Sequence, residues 1–244
     1  TLLSSSLKSA IRTVYTLLGS GILHATTFHK KLVTGTLICF LTTHVHAGVV
    51  LLYHHVNEKT PAITSIAPDQ FNRHLDIIEA EGFTVLPLDE LVKRSMDVSR
   101  ETEKNDDKIV AITFDDAYRS IYSTAFPNLQ ARGWPFTIFV STRLIEQKNP
   151  HYLTWAQLAE MSMHGATIAN HTDSHTHMIR RLDAESADQW RDRMRGELLT
   201  AKNLLVKHGL DSNFFAYPYG EYDEEILNLV GDLGMIGFGQ QSGA

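Results

Sequence analysis

From Gly48 onward, short apolar runs alternate with stretches in which apolar residues recur every three or four positions. The first pattern predicts strands buried on both faces, and the second predicts helices with one covered face. Val49–Tyr53 reads as a strand. Pro68-Asp69 opens a helical pattern through Phe71, Leu75 and Ile78 that closes at Gly82. Phe83–Leu86 follows as a strand and Leu88–Arg94 as a short helix, and the polar stretch Ser95–Asp107 reads as a loop. Lys108–Phe114 is a β-branched strand, and a helix spans Tyr118–Arg132 up to Gly133. After the strand Phe136–Val140, Thr154-Trp155-Ala156-Gln157 forms a capping box for a helix ending near Gly165. The strand Ala166–Asn170, a long helix Ala184–His208, the strand Asn213–Tyr217, a helix Asp223–Leu233 and a last strand Met235–Phe238 complete the series. Repeated β-then-α order predicts an α/β fold: one parallel sheet with crossover helices, curled into a closed or nearly closed barrel.

The first 47 residues read differently. Lys30 and Lys31 precede an apolar run from Leu32 to Leu41, and Val45 and Ala47 place small residues at −3 and −1 of a cleavage point. That order is that of a secretory signal peptide, so the mature chain is expected to begin at Gly48. A buried strand or helix is the alternative; a spanning helix would need ~20 apolar residues. Residues 1–29 show weak amphipathic spacing and receive no function. The expected organisation is an N-terminal extension and signal peptide at 1–47 and one folded domain, truncated at its C-terminal end, at 48–244. With Thr first, Met96 the first methionine and no closing helix or tail, the sequence reads as a fragment at both ends.

Composition narrows the chemistry. Of 244 residues, 43% are hydrophobic and 20% charged, enough for one sizeable core. The net charge is −6 with no basic block, which speaks against nucleic acid as a partner. The single cysteine, Cys39, rules out an intrachain disulfide and a Cys-rich zinc site. Any metal must therefore rest on His and carboxylate groups, and the chain has 13 histidines.

Three polar clusters each follow a predicted strand: Asp115-Asp116, then His171-Thr172-Asp173-Ser174-His175, then Tyr217-Pro218-Tyr219-Gly220. In a parallel α/β barrel the strand C-termini share one face, so these clusters converge. Two adjacent carboxylates call for a cation or a shared proton, although Asp also caps helices. His171 and His175, four apart, would share one helical turn, as in other His-x-x-x-His metal sites, with His177 a possible substitute; a polar surface loop is the alternative. Joined to Asp116 they form a two-histidine, one-carboxylate set with open positions for water and substrate. His54 and His55 either line the pocket or pack at a strand end. Tyr118 and Tyr219 lie next to the motifs, where a sugar ring could stack.

Thr113-Phe114-Asp115-Asp116, His171-Thr172-x-x-His175 and Tyr217-Pro218-Tyr219-Gly220 resemble, in order and spacing, the first three motifs of polysaccharide deacetylases, carbohydrate esterase family 4. Leu52-Tyr53-His54-His55-Val56 and Phe215-Ala216-Tyr217 are similar to the branch holding exported poly-β-1,6-N-acetylglucosamine N-deacetylases. The resemblance implies a deformed, incomplete barrel of that type. It implies Asp115 as general base, Asp116, His171 and His175 as ligands of one divalent ion, and Tyr219 as a backbone donor to the oxyanion. Zinc is the expected metal, with nickel, cobalt or iron compatible. It further implies a polysaccharide substrate; the signal-like run, for its part, predicts a periplasmic or extracellular location and no stable membrane span in the mature chain. Two departures stand out. Ala216 occupies a position where many members carry an arginine that orients the base, and no Leu-x-His general acid follows Tyr219, which places it beyond Ala244. Rival readings are deacetylation of peptidoglycan, chitin oligomers or O-acetylated xylan, a non-catalytic carbohydrate-binding protein, and a purely structural metal site.

Overall fold

Six consecutive buried residues, Ile109–Phe114, form the strand on which the rest of the sheet is built. The computed structural model describes residues 14–15, 48–96 and 108–240. Its strands are β1 (Val14–Tyr15), β2 (Val49–Tyr53), β3 (His55–Val56), β4 (Ser65–Ile66), β5 (Thr84–Val85), β6 (Ile109–Phe114), β7 (Phe136–Val140), β8 (Ala166–Asn170), β9 (Phe214–Ala216) and β10 (Ile236–Phe238). Its helices are α1 (Pro68–Ala80), α2 (Leu88–Met96), α3 (Phe126–Arg132), α4 (Thr142–Glu146), α5 (Trp155–Met163), α6 (Ala187–Lys207) and α7 (Glu224–Asp232). The main sheet runs β1-β2-β6-β7-β8-β9-β10, parallel except for β1, and curls into an open half-barrel. β2 covers one edge of β6 from Val49↔Val110 to Tyr53↔Phe114; on the other edge β5 takes the first half and β7 the second.

A parallel sheet covered on both faces needs apolar side chains on both, which is why β6 and β7 are buried throughout. Leu51 and Tyr53 of β2 join the core with Phe71, Leu75 and Ile78 of α1. Val50 and Leu52 point the other way, toward Leu88, Leu91 and Val92 of α2. The helices begin where the side chains provide for their unpaired first-turn N–H groups. Thr154 with Gln157, and Ser186 with Gln189, are complete capping boxes for α5 and α6, while Pro68 sits in the first turn of α1. The stripe Trp190, Met194, Leu198, Ala201 and Leu205 buries one face of the long α6.

Several elements differ from expectation. The helix expected from Tyr118 runs instead through a π-helical turn, Ile121–Ala125, before α3, and Tyr118 itself makes a bridge to Tyr152. The small β3–β4 sheet and the short α4 had no periodic signature, being too brief to show a period. The loop expected over 95–107 falls mostly, and the apolar run of the signal peptide wholly, outside the described residues. Val14–Tyr15 pair antiparallel with Leu51 and Val50 of β2. Among the described residues, no helix is long and apolar enough to cross a membrane.

Candidate metal centre

All four strands that feed the site run in the same direction, so their C-terminal ends meet at one edge. β6 delivers Asp115 and Asp116, β8 delivers His171 to His175, β9 delivers the 217–220 turn, and β2 delivers His54 and His55. The chain leaves β6 sharply: Asp116 and Ala117 both take left-handed backbone angles, φ 69° and 57°. Such angles are uncommon outside glycine, although Asp tolerates them better than most, and they turn the chain away from the strand direction from Asp116 onward. The Asp115 N–H donates to the Tyr53 carbonyl (2.9 Å), tying the turn to the end of β2.

His171 and His175 do not share a helical turn. Residues 171–175 form an irregular loop in which Thr172 and His175 are left-handed, φ 64° and 56°. Local side chains compete with helical bonding here and win. Asn170 Oδ1 accepts from the Thr172 N–H (2.8 Å), Thr172 Oγ1 accepts from the His175 N–H (3.0 Å), and Glu197 of α6 holds both the N–H and the hydroxyl of Ser174. Arg143 of α4 forks onto Asp173 Oδ2 at 2.9 and 2.6 Å, and Thr142 donates to Oδ1. The spacing is that of a helical pair, but the convergence is produced by a braced loop.

The result is a compact donor set. Asp116 Oδ1 lies 3.3 Å from His171 Nε2 and 3.1 Å from His175 Nε2. These ligand atoms all fall within 4.8 Å of one another. His171, fully buried, has Nδ1 2.9 Å from the Ala216 carbonyl, so Nδ1–H is the donor and Nε2 is left to face Asp116. Backbone carbonyls fix metal-binding histidines in this way. The residue that replaces the expected arginine thus contributes through its main chain. Burial alone would raise the Asp116 carboxyl, but the bonds from His171 and His175 outweigh it and hold it well below the usual carboxylate range. Burial likewise opposes charge on His171, yet the bonded Asp116 and nearby Asp115 push its imidazole above the ordinary value. Two imidazoles and a carboxylate with converging lone pairs suit a borderline divalent cation such as zinc.

Asp115 is fully buried beside this set, and Gln240 Nε2 approaches its Oδ2 at 3.4 Å. Tyr219 is left-handed (φ 60°), and its N–H takes no protein partner among the described residues, whereas those of Gly220 and Glu221 bond to Tyr217 and Pro218. Its half-exposed ring stacks on His177 at 3.8 Å and meets His175 edge-on. His177 is engaged elsewhere, its Nδ1 2.8 Å from Glu221 Oε2, and stays outside the donor set. Tyr118 stacks with both His55 (3.4 Å) and Tyr152 (5.0 Å), so its faces are occupied rather than open to a sugar. His54 and His55 line a cleft that also reaches Asp116, His175, Tyr219 and Gln240. Gln240 and the Ala216 carbonyl carry no sequence mark as functional groups. Asn170, a polar residue closing an apolar strand, is the one anchor that such a mark could have revealed.

Comparison with known proteins identifies the family and the fold. The family model "Polysaccharide deacetylase" matches residues 102–237, more than half of the chain. The chain is 28% identical over 185 residues to YxkH of Bacillus subtilis, covering 76% of this chain and 61% of that protein. It is 25% identical over 206 residues to the poly-beta-1,6-N-acetyl-D-glucosamine N-deacetylase of Staphylococcus epidermidis, covering 76% and 69%. The Streptococcus pyogenes deacetylase PplD, solved in complex with acetate, superposes with TM-score 0.65 at 27% identity, covering 75% of this chain and 79% of that one. A matched family model, a shared half-barrel and three motifs converging at its strand ends lead to one conclusion: the chain belongs to the polysaccharide deacetylase family.

Proposed function

We propose that the protein is a metal-dependent N-deacetylase of an exported N-acetylglucosamine polysaccharide, with the poly-β-1,6-linked polymer as the favoured substrate. The observation that carries the proposal is the Asp116–His171–His175 donor set on a cleft wall with a second, buried carboxylate, Asp115, beside it. A structural metal site has no use for that second carboxylate; hydrolysis does. The 25% identity to a deacetylase of the β-1,6 polymer favours this substrate over peptidoglycan, chitin or xylan. Export is in keeping with the signal-like run at Leu32–Leu41.

Asp116, His171 and His175 would hold the ion, which when bound polarises the amide carbonyl and makes water more acidic. The chain's own groups do the rest. The Ala216 carbonyl keeps the proton of His171 on Nδ1, away from the ligand position. Asp115 accepts a proton from the attacking water, and Gln240, donating to Oδ2, orients that carboxylate in place of an arginine. The Tyr219 N–H donates to the carbonyl oxygen as negative charge develops on it, the usual use of a preorganised unpaired donor. Water adds to the carbonyl carbon, the C–N bond breaks, and a proton reaches the nitrogen, leaving acetate and a free amine on the sugar.

The test is acetate release from a β-1,6-linked N-acetylglucosamine pentasaccharide by the full chain, with metal content measured in parallel. Asp115→Asn should lower turnover about 10²–10⁴-fold with metal retained. His171→Ala should lose metal and activity together. Near-normal turnover in Asp115→Asn ends its role as base.

A further inference from the structure

The cleft continues well past the metal ligands. Its volume is about 1210 Å³, and it runs from Asp116, His175 and Tyr219 to the first turns of α1 and the segment before it, where Glu58, Arg73 and His74 line it. That exceeds the ~300–1,000 Å³ usual for sites that enclose one small molecule.

At the far end lies a buried polar pair that the chemistry above does not use. Tyr53 Oη sits 3.0 Å from His74 Nδ1. Tyr53 is 8% exposed and His74 5%. The Tyr53 ring is held edge-on by Phe71 at 5.2 Å and tilted against Phe114 at 5.7 Å, so it has no freedom to swing away. Burial pushes the phenol up and the imidazole down, which keeps both groups neutral. The direction of the bond follows from accounting for the hydrogens. Were the ring the donor, the buried phenol hydrogen would have no acceptor among the described residues. With Tyr53 as donor, Nδ1 accepts and the ring proton lies on Nε2. Nε2 makes no hydrogen bond among the described residues, and His74 lines the cleft.

Tyr53 also ties this pair to the candidate base. Its carbonyl accepts from the Asp115 N–H, while its side chain reaches away to His74.

We propose that this end of the cleft is a second saccharide subsite, where His74 Nε2–H, oriented by Tyr53, donates to an oxygen of a polymer unit adjacent to the one being deacetylated. The inference rests on the deacetylase reading for its ligand class. It predicts that affinity depends on chain length through His74.

The experiment titrates the full chain with a β-1,6-linked N-acetylglucosamine pentasaccharide and, by NMR, with N-acetylglucosamine alone. Thermal melting checks the fold of each variant. His74→Leu and Tyr53→Phe should weaken pentasaccharide binding about 3–10-fold, the value of one neutral hydrogen bond, without weakening the monosaccharide to match. His74→Gln, whose amide can present an N–H near the Nε2 position, should recover most of the loss. Equal losses for both ligands, no loss for either, or a pentasaccharide bound no more tightly than the monosaccharide overturns the subsite. Acetate release by the unaltered protein separates the two ideas. Release without length-dependent binding keeps the deacetylase and removes the subsite. Binding through His74 without release keeps the subsite and removes the deacetylase.

Discussion

Asn170 is a single side chain on which the shape of the metal loop depends, and replacing it by leucine tests that directly. It is 1% exposed at the end of β8, and its amide works in two directions. Nδ2 donates to the Leu198 carbonyl of α6 at 2.9 Å, and Oδ1 accepts from the Thr172 N–H at 2.8 Å. Leucine has a similar size, so little cavity is created, but a buried N–H and a buried C=O both lose their partner. Each stranded group costs about 1–3 kcal/mol, and extra apolar burial offsets part, leaving a net loss of about 2–4 kcal/mol. For a chain of this size that corresponds to a fall of roughly 5–15 °C in melting temperature. The second consequence is functional. Thr172 is left-handed at φ 64°, a conformation that persists only while its surroundings enforce it. Without the Asn170 bond it relaxes, His171 and His175 lose their common focus on Asp116, and metal affinity should fall about 10–100-fold, as for other supporting residues of metal sites. Differential scanning calorimetry and a zinc titration against a competing chelator measure the two effects. A variant that melts within about 2 °C of the parent and binds metal normally would refute the claim that this amide shapes the loop.

The metal-free protein should show opposed pH dependences at the site. Asp116 is held well below its ordinary 3.8, so its bonds contribute stability above that value that is lost as pH falls through the folded value. His171 is raised above 6.5, so its contribution is full below 6.5 and is lost as pH rises through the folded value. Melting curves from pH 4 to 9 should therefore peak in the weakly acidic range without metal, whereas added zinc should stabilise increasingly toward high pH, because a ligand must be deprotonated. A metal-free melting temperature that climbs steadily to pH 9 contradicts this. Gly220→Ala should lower activity more than metal content. Gly220 is left-handed at φ 68°, and an added Cβ would come 2.7 Å from Gln240 Cβ, displacing the residue whose amide bonds to Asp115 Oδ2; parallel assays of acetate release and bound metal check it.

Much of the fold was legible because a parallel sheet and its covering helices leave strong local patterns. Val49–Tyr53 is a continuous apolar run, Phe136–Val140 and Ala166–Asn170 are short, mostly apolar ones, and all three coincide with their strands. The Thr154 box marks the start of α5 because capping is a matter of four consecutive residues. Elements without a local signature were missed. The β3–β4 pair consists of two-residue strands, and the π-helical turn at Ile121–Ala125 has the composition of an ordinary helix.

At the site, sequence alone determined the cast: a carboxylate pair, a histidine pair and a Tyr-Pro-Tyr-Gly turn, each after a strand whose direction a parallel sheet dictates. Tertiary structure decided how they act. The four-residue histidine spacing suggested a helical turn, and only contacts from Asn170, Arg143 and Glu197 make it a braced loop. The change of Arg to Ala at 216 looked like a loss, yet the backbone carbonyl there orients His171, and a backbone group is present whatever the side chain. Gln240 reaches Asp115 across 125 positions of sequence, and Tyr53 reaches His74 from strand to helix. Hydrogen bonds between distant segments depend on where the fold carries each side chain, and no pattern of neighbours along the chain encodes that.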